Sequence, residues 1–223
     1  MKFHDAHLAY CTNIHPAETW EETWQALKTH TLAVRDKVLP PDNRQPAPGY
    51  AIGLRLSAIA AEELLQGDNL QQFQQWLNDE NCYVFTINGF PYGSFHGTRV
   101  KEKVYQPDWT SAERLHYTNR LFTIIARLVP EGVDGSVSTL PGSFKEFHAD
   151  ESAIFKNLEA CAQHIEKLST QYNRDLHLGL EPEPLGHFEN TEETLAFFSR
   201  FLATVDDPEM VRRRIGINYD TCH

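Results

Sequence analysis

The residues best suited to chemistry lie in the segment LGLEPEP, residues 178–184. Glu181 and Glu183 are two positions apart, so in an extended segment both side chains point to the same side. Pro182 and Pro184 cannot continue a central strand, and they keep the segment extended. Two carboxylates held side by side are typical of a hard-cation site or of an acid/base pair. The alternative is a strand end that leaves the sheet with two acids in solvent.

A second candidate group lies in INYDTCH, residues 217–223. Asp220 follows an apolar run that predicts a strand, and His223 comes three residues later. A carboxylate and an imidazole at a strand end suit a divalent metal such as manganese, zinc or cobalt. The alternative is that Asp220 caps a helix. If the preceding strand carries Glu181 and the two strands are parallel neighbours, Glu181 and Asp220 come close together.

Other polar or aromatic residues near predicted strand ends are candidate substrate contacts. An Asn at such a position can donate and accept hydrogen bonds. An Arg there can hold a carboxylate or a phosphate, although a structural ion pair is an equal alternative. For a Tyr the alternative is packing, and for a loop His it is ordinary solvation. The predicted contacts are Asn13, Arg55, Asn88, Tyr92 and His96.

The spacing of apolar residues predicts six strands separated by helices. The strands recur at intervals that are typical of a parallel α/β sheet. A long loop, residues 88–109, follows the third strand, and loops of this length are often functional. The predicted strands are 8–14, 50–56, 82–87, 135–139, 176–180 and 215–219, and the predicted helices are 19–39, 57–65, 69–78, 111–128, 150–172 and 191–202.

Two α/β architectures fit this alternation, an open doubly wound sheet and a closed (β/α)₈ TIM barrel. No predicted strand is followed by G-x-G-x-x-G, which counts against a dinucleotide-binding sheet. Polar residues gather where strands end, and a barrel would place them on one rim, where its active sites lie. We therefore predict a barrel that forms one domain over residues 1–223.

Composition limits the classes of partner. The chain has 223 residues, 41% of them hydrophobic, and a formal net charge of −11, which disfavours nucleic acid. It has no apolar run long enough for a signal peptide or a membrane span. Its four cysteines form no CxxC pair, which favours a reducing, cytoplasmic location. We expect a small-molecule substrate, and the sequence leaves the oligomeric state open.

Longer segments add a family resemblance. They are LAYCTNIHPAETWEE, GLRLSA, YVFTINGFPYGSFHGTRVKEKVYQPDW, LEPEP and NYDTCH. Together they resemble the EboE family of metabolite-traffic proteins, which belong to the xylose-isomerase-like barrel superfamily. The pair LxLE and DTxH is also similar to the metal-site pattern of sugar isomerases and epimerases in that superfamily. YDTCH by itself resembles a strand end of endonuclease-IV-type enzymes.

These resemblances imply a divalent metal held by Glu181, Asp220 and His223, with Glu181 or Glu183 moving a proton. They imply an isomerase or epimerase that acts on a small polyhydroxylated or carbonyl metabolite. A non-catalytic metabolite binder and a zinc nuclease are the alternatives, although the nuclease pattern needs further histidines that the early strand ends lack. Because the superfamily completes its site from the seventh and eighth strands, the resemblance predicts a barrel that is truncated after the sixth.

Overall fold

A computed structural model describes residues 2–39, 49–93 and 101–222. It contains a mixed α/β fold with a six-stranded parallel sheet and a separate two-stranded hairpin. The strands are β1 (Lys2–Phe3), β2 (Ala6–His7), β3 (Tyr10–Cys11), β4 (Tyr50–Arg55), β5 (Cys82–Asn88), β6 (Gly135–Thr139), β7 (Leu176–Leu180) and β8 (Ile215–Ile217). The helices are α1 (Trp20–Ala26), α2 (Leu32–Val38), α3 (Ala58–Leu64), α4 (Asn69–Asp79), α5 (Ala112–Leu128), α6 (Glu151–Tyr172), α7 (Thr191–Thr204) and α8 (Pro208–Arg214).

The order of the strands in the large sheet follows the chain, from β3 to β8. Every neighbouring pair in this sheet is parallel. A doubly wound sheet reverses its strand order at a switch point, and this order has no reversal. The topology therefore matches the winding of a barrel, while barrel closure and truncation stay predictions because β3 and β8 are unpaired edges of the described sheet.

The two faces of the sheet differ in chemistry. On β6, Val137 is fully buried and packs with Leu121 of α5 around Gly89. The alternate residue Ser136 is half-buried on the opposite face, where its hydroxyl lies 2.8 Å from that of Thr86. The period of two along each strand produces this division. We call the face that carries Ser136 and Thr86 the inner face.

The main core lies between the helix face of the sheet and the helices. Aromatic clusters extend it outward, one around Phe73 of α4 and another around Phe197 of α7. Burial of this apolar surface is the main stabilising contribution to the fold. The largest side chains that are almost completely buried are Trp109, Arg114, Tyr50, Tyr105, Tyr117, Phe73, Phe122 and Phe188.

The predicted strand 8–14 is wrong in extent. The strand is only Tyr10–Cys11, and the chain then forms a 3₁₀ turn, Thr12–Ile14. The buried Thr12 hydroxyl accepts a hydrogen bond from the Arg55 main-chain N–H (2.9 Å), so a side chain occupies a donor that strand pairing would use. Strand β3, which corresponds to the first predicted strand, therefore ends two residues before Asn13.

The predicted helix 19–39 forms with one irregularity. Thr19 and Glu22 make the expected capping box, because each side chain accepts from the other residue's main-chain N–H. Between α1 and α2 the helix widens into a π-helical stretch, Leu27–Thr31. The sequence pattern also missed the β1–β2 hairpin and α8. The strands of the hairpin have two residues each and α8 has seven, so these elements are too short to show a period.

Candidate functional site

Strands β7 and β8 are parallel neighbours, and the residues after them meet at the carboxyl edge of the sheet. The main-chain N–H of Glu181 donates to the Thr139 carbonyl (2.9 Å), which continues the pairing with β6. The Asn218 amide donates to Glu181 Oε2 at 2.7 Å. We call Glu181, Glu183, Asn218 and Asp220 the carboxylate rim. The hydrogen bond from Asn218 orients the Glu181 carboxylate.

A buried tyrosine holds the second carboxylate. The Tyr105 hydroxyl donates to Glu183 Oε2 at 3.0 Å, and Tyr105 is only 1% exposed. Burial raises the pKa of Tyr105 well above its ordinary value, and the negative charges of Glu183 and Glu181 raise this pKa further. Tyr105 therefore stays protonated at neutral pH and acts as a hydrogen-bond donor to Glu183.

Asp220 is half-buried two residues beyond Asn218. Its Oδ1 accepts from the main-chain N–H of Cys222 at 2.8 Å, so it closes a turn in the manner of a cap. Two predicted residues, His223 and His96, lie outside the described part of the chain, so their placement stays a prediction.

The donor chemistry of the carboxylate rim fits part of a divalent-cation site. Carboxylate and amide oxygens suit hard cations, and an added imidazole would suit manganese, zinc or cobalt. Within residues 2–39, 49–93 and 101–222, no three His, Cys, Asp or Glu side chains form a group able to hold a metal ion. The described residues therefore supply at most two of the ligands, Glu181 and Asp220.

Arg55 ends β4, as predicted, but it lies within the protein rather than facing a cleft. It is 3% exposed. Its guanidinium donates to the carbonyls of Ala17 and Gly93 and to Glu18 Oε1, the last two at 2.7 and 3.2 Å. These bonds join the loop after β3 to the loop after β5. The geometry favours the structural ion pair over a substrate contact.

Two predicted contact residues follow β5. Asn88 is half-buried in register with Ser138, and its Oδ1 accepts from the Phe90 main-chain N–H at 3.0 Å. Its amide nitrogen is the part suited to a ligand. The Tyr92 ring instead packs edge-on against Tyr117, with centroids 5.1 Å apart. The packing alternative therefore accounts for Tyr92.

Asn13 lies in the 3₁₀ turn after β3 and is half-buried. Its side-chain oxygen is buried and has no hydrogen-bond partner among the described residues. A buried acceptor without a partner costs free energy unless water or a ligand donates to it. Asn13 therefore keeps its predicted role as a candidate contact.

Sequence reasoning missed the residues that hold the loops of this edge in place. Arg114 of α5 is fully buried, and its guanidinium donates to the carbonyls of Gly89 (2.8 Å), Phe90 (3.0 Å) and Pro107 (2.8 Å). These contacts join the start and the end of the long loop after β5. The available signal was an arginine on the apolar face of a helix, three residues before Tyr117.

The neighbouring residues extend these contacts to the loop after β6. The Trp109 indole donates to the Thr139 hydroxyl at 3.2 Å, and its main-chain N–H donates to Gly142 at 2.9 Å. The Ser143 hydroxyl donates to the buried Asp108 carboxylate. We call Asp108, Trp109 and Arg114 the loop framework. It lies in the same segment as Tyr105 and so links β5 and β6 to the carboxylate rim.

Cys11 lies on β3, the edge of the large sheet opposite β8. Surrounding protein raises the pKa of the Cys11 thiol by desolvation, although the residue itself is exposed, and the negative charge of Glu181 raises this pKa further.

Comparisons with known proteins give little beyond this geometry. No protein-family model matches the chain, and no curated protein matches it. One similar solved structure is a 1.8 Å crystal structure of IolI protein with a binding zinc atom, at 12% identity and a TM-score of 0.44. The match covers 87% of this protein and 59% of the length of the IolI chain. At these values the likeness assigns no family or function.

The resemblance to the EboE family accordingly stays a prediction. In the described part of the chain, none of the helices combines the length and apolar character needed to cross a membrane. What the structure contributes to function is the placement of side chains: two orientated glutamates and an aspartate follow the carboxyl ends of adjacent strands, at the edge of a sheet face that carries polar side chains.

Proposed function

We propose that the chain is a metal-dependent isomerase or epimerase that acts on a small polyhydroxylated or carbonyl compound. The observation that supports this most is that Glu181 and Asp220 follow the parallel neighbours β7 and β8 at their carboxyl ends. In a sheet wound in chain order, this edge is where catalytic residues collect. The acidic rim and the net charge of −11 count against the alternative of a zinc nuclease.

In this proposal Glu181, Asp220 and His223 hold the metal. Bound there, a divalent metal would polarise a carbonyl or hydroxyl group of the substrate. Glu183 moves the proton on the adjacent carbon, because it lies two residues from Glu181 and Tyr105 fixes one of its oxygens. Asn13 and Asn88 orient the substrate hydroxyls, together with His96.

The test is elemental analysis of the purified chain and of the double variant Glu181→Ala/Asp220→Ala after incubation with manganese, zinc or cobalt. We expect near-stoichiometric metal in the parent and loss in the variant. A double variant at exposed acids far from the rim, Glu131→Ala/Asp79→Ala, controls for non-specific uptake. No metal in the parent after supplementation would overturn the proposal.

A non-catalytic metabolite binder is the second candidate. It is favoured by polar side chains on the inner face well below the rim, because a reaction confined to the rim does not need them. Incubation with a bound metabolite separates the two candidates. Release of the compound unchanged after many hours, with metal present, would favour the binder, whereas an isomerised product would favour the enzyme.

A further inference from the structure

The inner face carries a set of hydrogen-bonding side chains that the proposed reaction does not use. Thr86 and Ser136 form a hydroxyl pair at 2.8 Å on neighbouring strands. His177 of β7 lies in register with Ser136, and all three residues are half-buried. Adjacent in-register residues of a sheet point to the same face. Thr86, Ser136 and His177 therefore form one polar row across β5, β6 and β7.

A second polar row lies between this one and the carboxylate rim. Asn88 and Ser138 are in register on β5 and β6, and the row continues at Gly179 and Gly216. A side chain added at Gly216 would meet no atom within 4 Å. At Gly179 in the same row a side chain would lie 3.0 Å from Asn218, so the open space of this row lies at the edge strand β8.

Barrel interiors are normally filled by bulky branched apolar side chains. Here the same positions of β5, β6 and β7 hold hydroxyls, an amide and an imidazole. Half-buried polar groups are costly unless they find partners, and a ligand with several hydroxyls supplies such partners. His177 precedes Glu181 by four residues, which corresponds to roughly 13 Å along an extended strand. The polar rows therefore offer a binding surface that extends well below the rim.

The charges around the rim indicate the kind of ligand. Glu181, Glu183 and Asp220 carry three carboxylates, whose charge a bound divalent cation would only partly neutralise, and an acidic mouth repels anionic ligands. A basic side chain in the loop after β6, Lys145, is already paired with Glu189 and Glu193. The Arg55 guanidinium is likewise engaged, with Glu18 and main-chain carbonyls. This arrangement suits an uncharged ligand better than a phosphorylated one.

We propose that Thr86, Ser136, Ser138 and His177 form a subsite on the inner face that recognises the hydroxyl groups of an uncharged polyhydroxylated compound. The inference rests on the proposed function, because it places the reacting end of the same compound at the carboxylate rim. In this arrangement His177 contacts the distal end of the ligand. The hydroxyl side chains bind its middle.

The experiment is isothermal titration calorimetry of the full chain after manganese loading, with xylose, ribose and glucose and with their monophosphate esters as ligands. We expect at least one uncharged sugar to bind more tightly than its phosphate ester. His177→Leu should weaken that binding by about tenfold, the effect of one lost hydrogen bond. Ser138→Ala, a smaller change, should weaken it in the same direction. Metal content should be unchanged in both variants.

His116→Leu is the matched control, because His116 is exposed on α5 and away from the inner face. Circular dichroism melting verifies that each variant is folded, and Ser138→Ala remains informative if His177→Leu is not. Tighter binding of the phosphate esters, or sugar affinity unchanged in the folded variants, would overturn the subsite. So would the absence of sugar binding by the metal-loaded parent. Each of these results leaves the metal assignment intact, whereas loss of metal from the parent would reject the proposed function itself.

Discussion

The loop framework and the carboxylate rim both consist of polar residues near the carboxyl edge of the sheet, yet their surroundings are opposite. Arg114 is fully buried, and its Nε and Nη1 atoms donate to main-chain carbonyls. Glu181 and Glu183 are half-buried, and their carboxylates accept hydrogen bonds from the side chains of Asn218 and Tyr105. The first arrangement fixes loops, while the second orients charged groups that still reach solvent.

The comparison shows what separates a structural from a functional polar residue at a strand end. The residue type is not enough, because Arg55 and Glu181 both follow apolar strands. The informative features are the exposed fraction of the side chain and the nature of its partners. The buried Arg55 guanidinium donates to two main-chain carbonyls and to Glu18, whereas the carboxylates of Glu181 and Glu183 each accept a hydrogen bond from a side chain.

Substitutions in the loop framework should have their largest effect on stability. We expect Arg114→Met to lower the free energy of unfolding by about 3 kcal/mol or more, because three buried carbonyls lose their donor. Urea unfolding followed by circular dichroism measures this change. Arg120→Met is the control on the same helix, since Arg120 forms only a partly exposed ion pair with Glu62. Equal effects of the two substitutions would remove the distinction between framework and surface.

Substitutions in the carboxylate rim should change metal binding rather than stability. We expect Glu181→Gln to lower metal affinity by about a hundredfold or more, equivalent to about 2.7 kcal/mol, because an anionic ligand becomes neutral. The free energy of unfolding should change little, since Glu181 is half-buried and Gln keeps its shape. Competition with a fluorescent chelator measures the affinity, with Glu131→Gln as the exposed control. A large loss of stability would instead place Glu181 with the framework.

Much of the fold could be predicted because it follows from period and composition. The strands Gly135–Thr139 and Leu176–Leu180 coincide with their predictions, since each is a short apolar alternation between clear breaks. Strand β3 is shorter than predicted because the Thr12 side chain accepts the hydrogen bond of the Arg55 main-chain N–H. A contact between residues 43 positions apart leaves no trace in a local pattern.

The candidate site was predictable in part for the same reason. The parallel pairing of β7 and β8 places Glu181 and Asp220 after neighbouring strands, and this needed only the order of the strands. Tyr105 and Asn218 were missed, because their partners depend on how the loop after β5 crosses the sheet edge. The polar rows were missed because register across three strands is a tertiary property.

A smaller effect tests how firmly the rim is held. We expect Tyr105→Phe to cost about 1 kcal/mol of stability, because the Glu183 carboxylate loses a buried donor. If Glu183 moves a proton, turnover should fall while metal content stays constant. Tyr172→Phe, at a half-buried position on α6, is the control for loss of a hydroxyl. Unchanged turnover in a folded Tyr105→Phe variant would separate Glu183 from the reaction.

The smallest effect concerns a surface ion pair between α6 and α7, beside the loop that follows β7. The Glu151 carboxylate accepts hydrogen bonds from Arg200 (2.7 Å) and pairs with His187 (3.0 Å). The hydrogen bonds from Arg200, and to a smaller extent the contact with His187, lower the pKa of Glu151 below its ordinary value of 4.5. A carboxylate with a lowered pKa stabilises the folded chain fully above about pH 4.5, and this stabilisation is lost as the pH falls through the lowered pKa. We expect Glu151→Gln to cost under about 1 kcal/mol at pH 7, since Arg200 is half-exposed, and progressively less in acid. Thermal melting of the parent, Glu151→Gln and Glu131→Gln between pH 7 and pH 3 measures this stability difference. A difference between parent and Glu151→Gln that grows on acidification would contradict the stabilising role of the Glu151 ion pair.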